Sequence, residues 1–96
     1  MDNVDLLITG GEVITHTERR HANVLVQQEK IVGLLDAHAA LPRAQKTIDA
    51  TGLYVLPGAV DPHTHIGGAT KVVGTLAAAM KVCTRALAIG GTTTVM

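Results

Sequence analysis

The chain has 96 residues, 47% of them hydrophobic and 17% charged, with a formal net charge of zero. This length holds one small domain or a piece of a larger one, and the balanced charge excludes a nucleic-acid binder that works through a basic face. Asp2 and Asp5 stand where a signal peptide would be positive, and no apolar run reaches the ~18 residues of a membrane span, so neither membrane nor export is expected and the chain reads as cytoplasmic. The single cysteine, Cys83, leaves no internal disulfide and fits a reducing compartment.

From the N-terminus, Asp5-Leu6-Leu7-Ile8-Thr9 and Glu12-Val13-Ile14-Thr15-His16 flank Gly10-Gly11 and read as two strands about a glycine turn. Residues 17–21 are polar and charged, a loop or hairpin tip. Ala22-Asn23-Val24-Leu25-Val26, a Gln27-Gln28-Glu29-Lys30 turn and residues 31–36 give a second hairpin. Residues 37–44, rich in alanine and carrying Pro42, read as a loop or one irregular helical turn. Thr47-Ile48-Asp49-Ala50 and Leu53-Tyr54-Val55-Leu56 follow as two more strands, so residues 4–56 form a small all-β unit.

Beyond residue 66 the character changes. Val73, Leu76, Met80, Cys83 and Leu87 recur three or four apart, the stripe of an amphipathic helix over residues 75–88. Gly90-Gly91 stops that helix, and Thr92-Thr93-Thr94-Val95 has the β-branched composition of a strand. Strand, helix and strand in this order predict a βαβ unit with parallel strands. An all-β unit followed by one βαβ unit is an unfinished pattern, and the chain is expected to be the N-terminal part of a larger protein. Its exposed strand edge and apolar helix stripe lead us to expect self-association as a homo-oligomer.

The chemistry is concentrated in Leu56-Pro57-Gly58-Ala59-Val60-Asp61-Pro62-His63-Thr64-His65. In an extended backbone Asp61, His63 and His65 share a face, and the two histidine Cα atoms lie roughly 6.5 Å apart, close enough for both imidazoles to reach one ion. An H-x-H pair alone is a weak signal, since most histidines are ordinary surface or core groups. Its setting strengthens it: a pair closing an apolar strand before a glycine loop and a helix stands where α/β folds keep their chemistry. Asp61 reads either as a group orienting a ligand imidazole or the strand end, or as a turn residue ahead of Pro62.

With Gly90-Gly91-Thr92-Thr93-Thr94-Val95 downstream, this stretch resembles the start of cyclic amidohydrolases, most of all the dihydropyrimidinase and hydantoinase branch of the amidohydrolase superfamily. Residues 5–14, 22–33 and 47–55 look like that family's opening hairpins and the approach to its metal strand. The resemblance implies a mixed α/β fragment. Residues 1–54 would be the N-terminal share of a small β-sandwich, and residues 55–96 the first βαβ unit of a (β/α)₈ barrel. Strand one would span residues 55–65, its helix 75–89, and strand two would begin at 92. It implies two zinc ions bridged by a carboxylated lysine, with hydroxide attacking a small cyclic amide substrate. His63 and His65 match the first two metal ligands. The bridging lysine, further histidines and a catalytic aspartate would lie beyond residue 96, so the 96 residues alone are expected to bind zinc weakly and to hydrolyse nothing.

Ile66-Gly67-Gly68 follows the histidines, where dihydroorotases and allantoinases usually carry arginine or an asparagine-glutamate segment, and this weighs against both. The loop over residues 66–74 also looks shorter than is usual for hydantoinases. Lys71 and Lys81 match no ligand position. His16, His21 and His38 lie at no ligand spacing and read as surface or loop groups, and Cys83 reads as helix packing. Two other classes remain open: a non-catalytic dihydropyrimidinase-like assembly or regulatory partner, against which retention of both histidines argues, and a plain β-rich domain with a coincidental H-x-H.

Overall fold

The computed structural model describes residues 3–63 and 74–95, and in it the Gly10-Gly11 pair is not a hairpin turn. Residues Asn3–Ile14 form one strand, β1, antiparallel to β2 (Arg19–Gln27), and the pairing shifts by one residue between Ile8 and Gly11. Gly10 has φ of 78°, so the pair forms a β-bulge with glycine in the left-handed region. The extra residue has a consequence for the core. Ile8 and Val13 are an odd number apart and would face opposite sides of a regular strand, yet both join Val24, Ala22 and Val55 in one cluster. Buried Asn23 holds the bulge: its Oδ1 accepts the Gly10 N–H at 3.0 Å, and its amide donates to the Asp36 carbonyl at 3.4 Å.

The true hairpin turn falls at residues 15–18, where the Thr15 N–H donates to the Glu18 carbonyl at 2.8 Å and the Thr15 hydroxyl accepts the Thr17 and Glu18 amides. Arg19, Arg20 and His21, expected in a loop, therefore lie in β2. Their side chains explain the extension. Arg19 forms a two-pronged ion pair with Glu12 at 2.8 and 3.2 Å and lies 5.2 Å from the centre of the Tyr54 ring, while Arg20 reaches Asp36 at 2.8 Å. The second hairpin, to β3 (Lys30–Asp36), is where the sequence places it. Its two turn residues, Gln28 and Glu29, have φ of 50° and 65°, the left-handed pair of a type I′ turn.

Strand β4 (Arg43–Asp49) starts earlier than expected and pairs with β1 in parallel, giving the order β3-β2-β1-β4. The connection over residues 37–42 brings Leu41 and Pro42 beside Leu25 and Leu35 around an open concavity of about 710 Å³. Leu7 and Leu25 are buried with Val4 in the second cluster, which Leu35 and Ala44 flank. The outer edge strand carries Arg43 and Lys46, charges that oppose further strand addition.

At Asp49 the chain leaves β1, turns through residues 50–53 and returns as β5 (Tyr54–Val55), again parallel to β1. The break lies opposite the bulge: Ala50 N–H donates to the Thr9 carbonyl at 2.7 Å, and Glu12 N–H donates to the Leu53 carbonyl at 3.0 Å. Asp49 caps the turn through the Thr51 hydroxyl at 2.6 Å and amide at 3.0 Å, hydrogen bonds that hold its carboxyl below the ordinary value. Val55 thus pairs within the β-rich unit instead of opening the strand that the family resemblance starts there.

The chain forms two compact units, Met1–Pro57 and Gly58–Met96. In the second, β6 (Ala59–Asp61) and β7 (Thr92–Val95) are parallel, with helix α1 (Leu76–Ile89) between them in sequence. Thr75 caps α1 by accepting the Ala78 N–H at 3.1 Å, and Gly91, with φ of 91°, follows its end. The inward row of α1 differs from the expected stripe. Ala79 is buried and Cys83 and Leu87 are half-buried, whereas Leu76 and Met80 are 61% and 43% exposed. Val73 lies outside the described residues. Positions 79, 83 and 87 form a straight row four apart, and its alanine admits close backbone approach.

Two outcomes test this fold. A Cβ on Gly11 would lie 2.6 Å from Val55 Cγ2 and 3.1 Å from the Ala50 Cβ. Gly11→Ala should therefore lower stability by about 1–3 kcal/mol in urea unfolding, with Val55→Ala in the same chain recovering part of the loss. Glu29→Gly should instead raise stability by about 1 kcal/mol in the same assay, because glycine relieves the left-handed strain of the turn.

Candidate metal centre

Strand β6 is short because two features bound it. At its start, the Ala59 N–H donates to the Gly91 carbonyl at 2.8 Å, and a Cβ on Gly58 would overlap the side chain of Thr93. Glycine is needed here for the close approach of Thr93, a requirement set by a residue far away in sequence and invisible in the Pro57-Gly58 pair itself. At its end, Asp61 pairs with Val95, and the next residue, Pro62, has no N–H to continue a ladder.

The extended run expected through His65 is not present over the described residues: Pro62 and His63 form a bend. Asp61 Oδ1 accepts the His63 backbone N–H at 3.0 Å, closing an Asx turn. Of the two roles open to Asp61 in the sequence, the structure displays the turn-forming one. His63 is exposed just past the C-terminal end of a parallel strand, and Asp61 is half-buried. His65 lies outside the described residues, as do the Ile66-Gly67-Gly68 loop and Lys71. Among the described residues, no three His, Cys, Asp or Glu side chains come together as a metal-holding group. His63 is an exposed residue with its backbone N–H held by Asp61, and imidazole is a donor type that zinc accepts.

The remaining histidine candidates among the described residues belong to the first unit. His16, His21 and His38 are exposed, His21 opposite Glu12 across the β1–β2 pair. Glu12 has its carboxyl held below the ordinary value chiefly by its hydrogen bond from Arg19, whose own pKa is raised above its ordinary value by the same contact. These groups serve the β1–β2 hairpin. No described helix is long and apolar enough to cross a membrane.

Comparison with known proteins supplies what the described geometry does not. No protein-family model matches the chain. A D-hydantoinase of Streptomyces coelicolor is 42% identical over 96 residues, covering 94% of this chain and 20% of its own length. An allantoinase of Salmonella choleraesuis is 42% identical over 94 residues, covering 96% of this chain and 19% of its own. The crystal structure of an N-acyl-D-glutamate deacylase from Bordetella bronchiseptica, in complex with zinc and a phosphonate inhibitor, superposes with a TM-score of 0.61 at 33% identity. That match covers 71% of this chain and 14% of the deacylase.

The structural match is to an enzyme of the amidohydrolase fold. Over more than nine-tenths of its length the chain is similar to D-hydantoinases and allantoinases. It spans about a fifth of the length of these relatives. Equal identity to a hydantoinase and an allantoinase means that the sequence does not favour one over the other, and Ile66-Gly67-Gly68 does not set allantoinases aside.

The geometry at Gly58 yields a direct test. Gly58→Ala should weaken the β6–β7 pair, seen as faster amide exchange at Ala59, while residues of β1 and β2 keep their protection. Thr93→Ala, which removes the two nearest obstructing atoms, should restore part of it.

Proposed function

We propose that this chain is the segment of a metal-dependent cyclic amidohydrolase that supplies the first two ligands, His63 and His65, to a zinc centre. The observation that carries the reading is the homology to D-hydantoinase and allantoinase over more than nine-tenths of the chain, at 42% identity, with Asp61 closing a parallel strand directly before Pro62-His63-Thr64-His65 in the sequence. The first unit is read as a share of a β-sandwich, and β6, α1 and β7 as the first strand, helix and second strand of a (β/α)₈ barrel. The C-terminal ends of barrel strands are where such folds gather catalytic groups.

In the complete enzyme, a bound metal supplies Lewis acidity towards the amide carbonyl and a water acidic enough to be a nucleophile near neutral pH. The residues of this chain do the holding: His63 and His65 would offer neutral imidazoles, and the Asx turn at Asp61 sets where the first begins. A catalytic zinc takes three protein ligands and an open position. Two imidazoles make a weak site, so we expect this chain to hydrolyse neither hydantoin nor dihydrouracil. Exposed Leu76, Val82 and Ile89 on α1 support self-association.

Zinc titration followed through histidine ring resonances tests the site. The rings of His63 and His65 should shift together, while His16, His21 and His38 stay unmoved. Zinc shifts absent from both rings, or hydantoin turnover by the chain that His63→Ala abolishes, would overturn this reading.

A further inference from the structure

We infer that Asp61 is a positioning residue for the metal centre, and that it acts through the main chain of His63 and not through the imidazole. The inference rests on His63 being a metal ligand and adds how that ligand is placed. Three observations lead to it. Asp61 is the last residue of β6 and is fixed there by its pairing with Val95. Its Oδ1 accepts the His63 N–H at 3.0 Å, bridging over Pro62, which has no N–H of its own to contribute. Asp61 is half-buried within the strand ladder and His63 is exposed beyond its end, so Asp61 is the anchored residue of the pair.

The requirement is therefore for an acceptor oxygen at the Oδ1 position. A negative charge is not needed, because a backbone amide is satisfied by a neutral amide oxygen as well as by a carboxylate. This separates the proposal from a carboxylate that raises the basicity of a ligand imidazole through its ring N–H, where charge carries the effect. Asparagine caps Asx turns as readily as aspartate, so Asp61→Asn should preserve the turn. Asp61→Ala removes the acceptor and frees the ψ of Pro62 and the φ of His63, so that the turn no longer fixes where the His63 backbone lies.

The test compares Asp61→Asn, Asp61→Ser and Asp61→Ala with the unaltered chain on two readouts. The first, made without metal, is exchange of the His63 amide proton, with the β1–β2 amides as the control for folding. The second is affinity for zinc, measured by competition with a chromogenic chelator. We expect Asp61→Asn to match the unaltered chain in both, Asp61→Ser to retain part of the protection, and Asp61→Ala to speed His63 exchange and weaken zinc binding, each by about tenfold. Two results would overturn the proposal: an Asp61→Ala chain with unchanged His63 exchange, or an Asp61→Asn chain that loses zinc as badly as Asp61→Ala. If the unaltered chain takes up no zinc, the metal reading itself fails, and the exchange comparison then decides the placement of His63 alone.

Discussion

One inserted residue governs the β-rich unit. The bulge at Gly10-Gly11 shifts the second half of β1 by one position, so that Val13 faces the same side as Ile8. Without that shift, the apolar residues on either side of the glycines would fall on opposite faces and no continuous layer would form. The bulge is also the place where the opposite edge of β1 changes partner from β4 to β5, across the turn at residues 50–53. Asn23 stabilises it from within, using a buried side chain to occupy a backbone amide that the ladder leaves over. Glycine at both positions is a matter of space, because Thr51, Ala50 and Val55 come close on that side, and at Gly10 it is a matter of conformation as well.

The sequence revealed element types better than their connections. The Gln27–Lys30 turn, helix α1 and the parallel relation of β6 and β7 were legible because each is announced locally, by a polar break, a helical period or a glycine stop. The bulge was misread as a turn because Gly-Gly between β-branched runs is ambiguous. Only the partner strand, which pairs with β1 on both sides of the bulge, distinguishes one strand from two. The parallel pairing of β4 with β1 could not be read at all, since nothing in residues 43–49 says which edge they join. The inward row of α1 escaped for a related reason. A hydrophobicity stripe picks out Leu76 and Met80, but the small Ala79 is what comes to lie against its surroundings.

For the candidate site, the sequence supplied identity and the structure supplied local geometry. His63 and His65 were recognisable as an H-x-H at the end of a strand, together with the motifs around them. The backbone does not stay extended as far as His63, because Pro62 ends the ladder and Asp61 turns the chain, and His65 lies outside the described residues. The alternation that puts i and i+2 on one face holds only while the strand lasts. Past Asp61, the direction of His63 depends on a hydrogen bond that no periodicity reports.

The parallel pairing of β6 with β7 also bears on the order in which the chain can assemble. The β1–β2 and β2–β3 contacts close across short turns and carry little loop entropy. Asp61, by contrast, acquires its strand partner only when Val95 arrives, after helix α1 and both its flanking connections have been traversed. The strand pairing beside His63 thus closes over a long stretch of chain. During synthesis, His63 leaves the ribosome well before the strand that will hold its neighbour Asp61, so for that interval the imidazole is present without the pairing that fixes the end of β6.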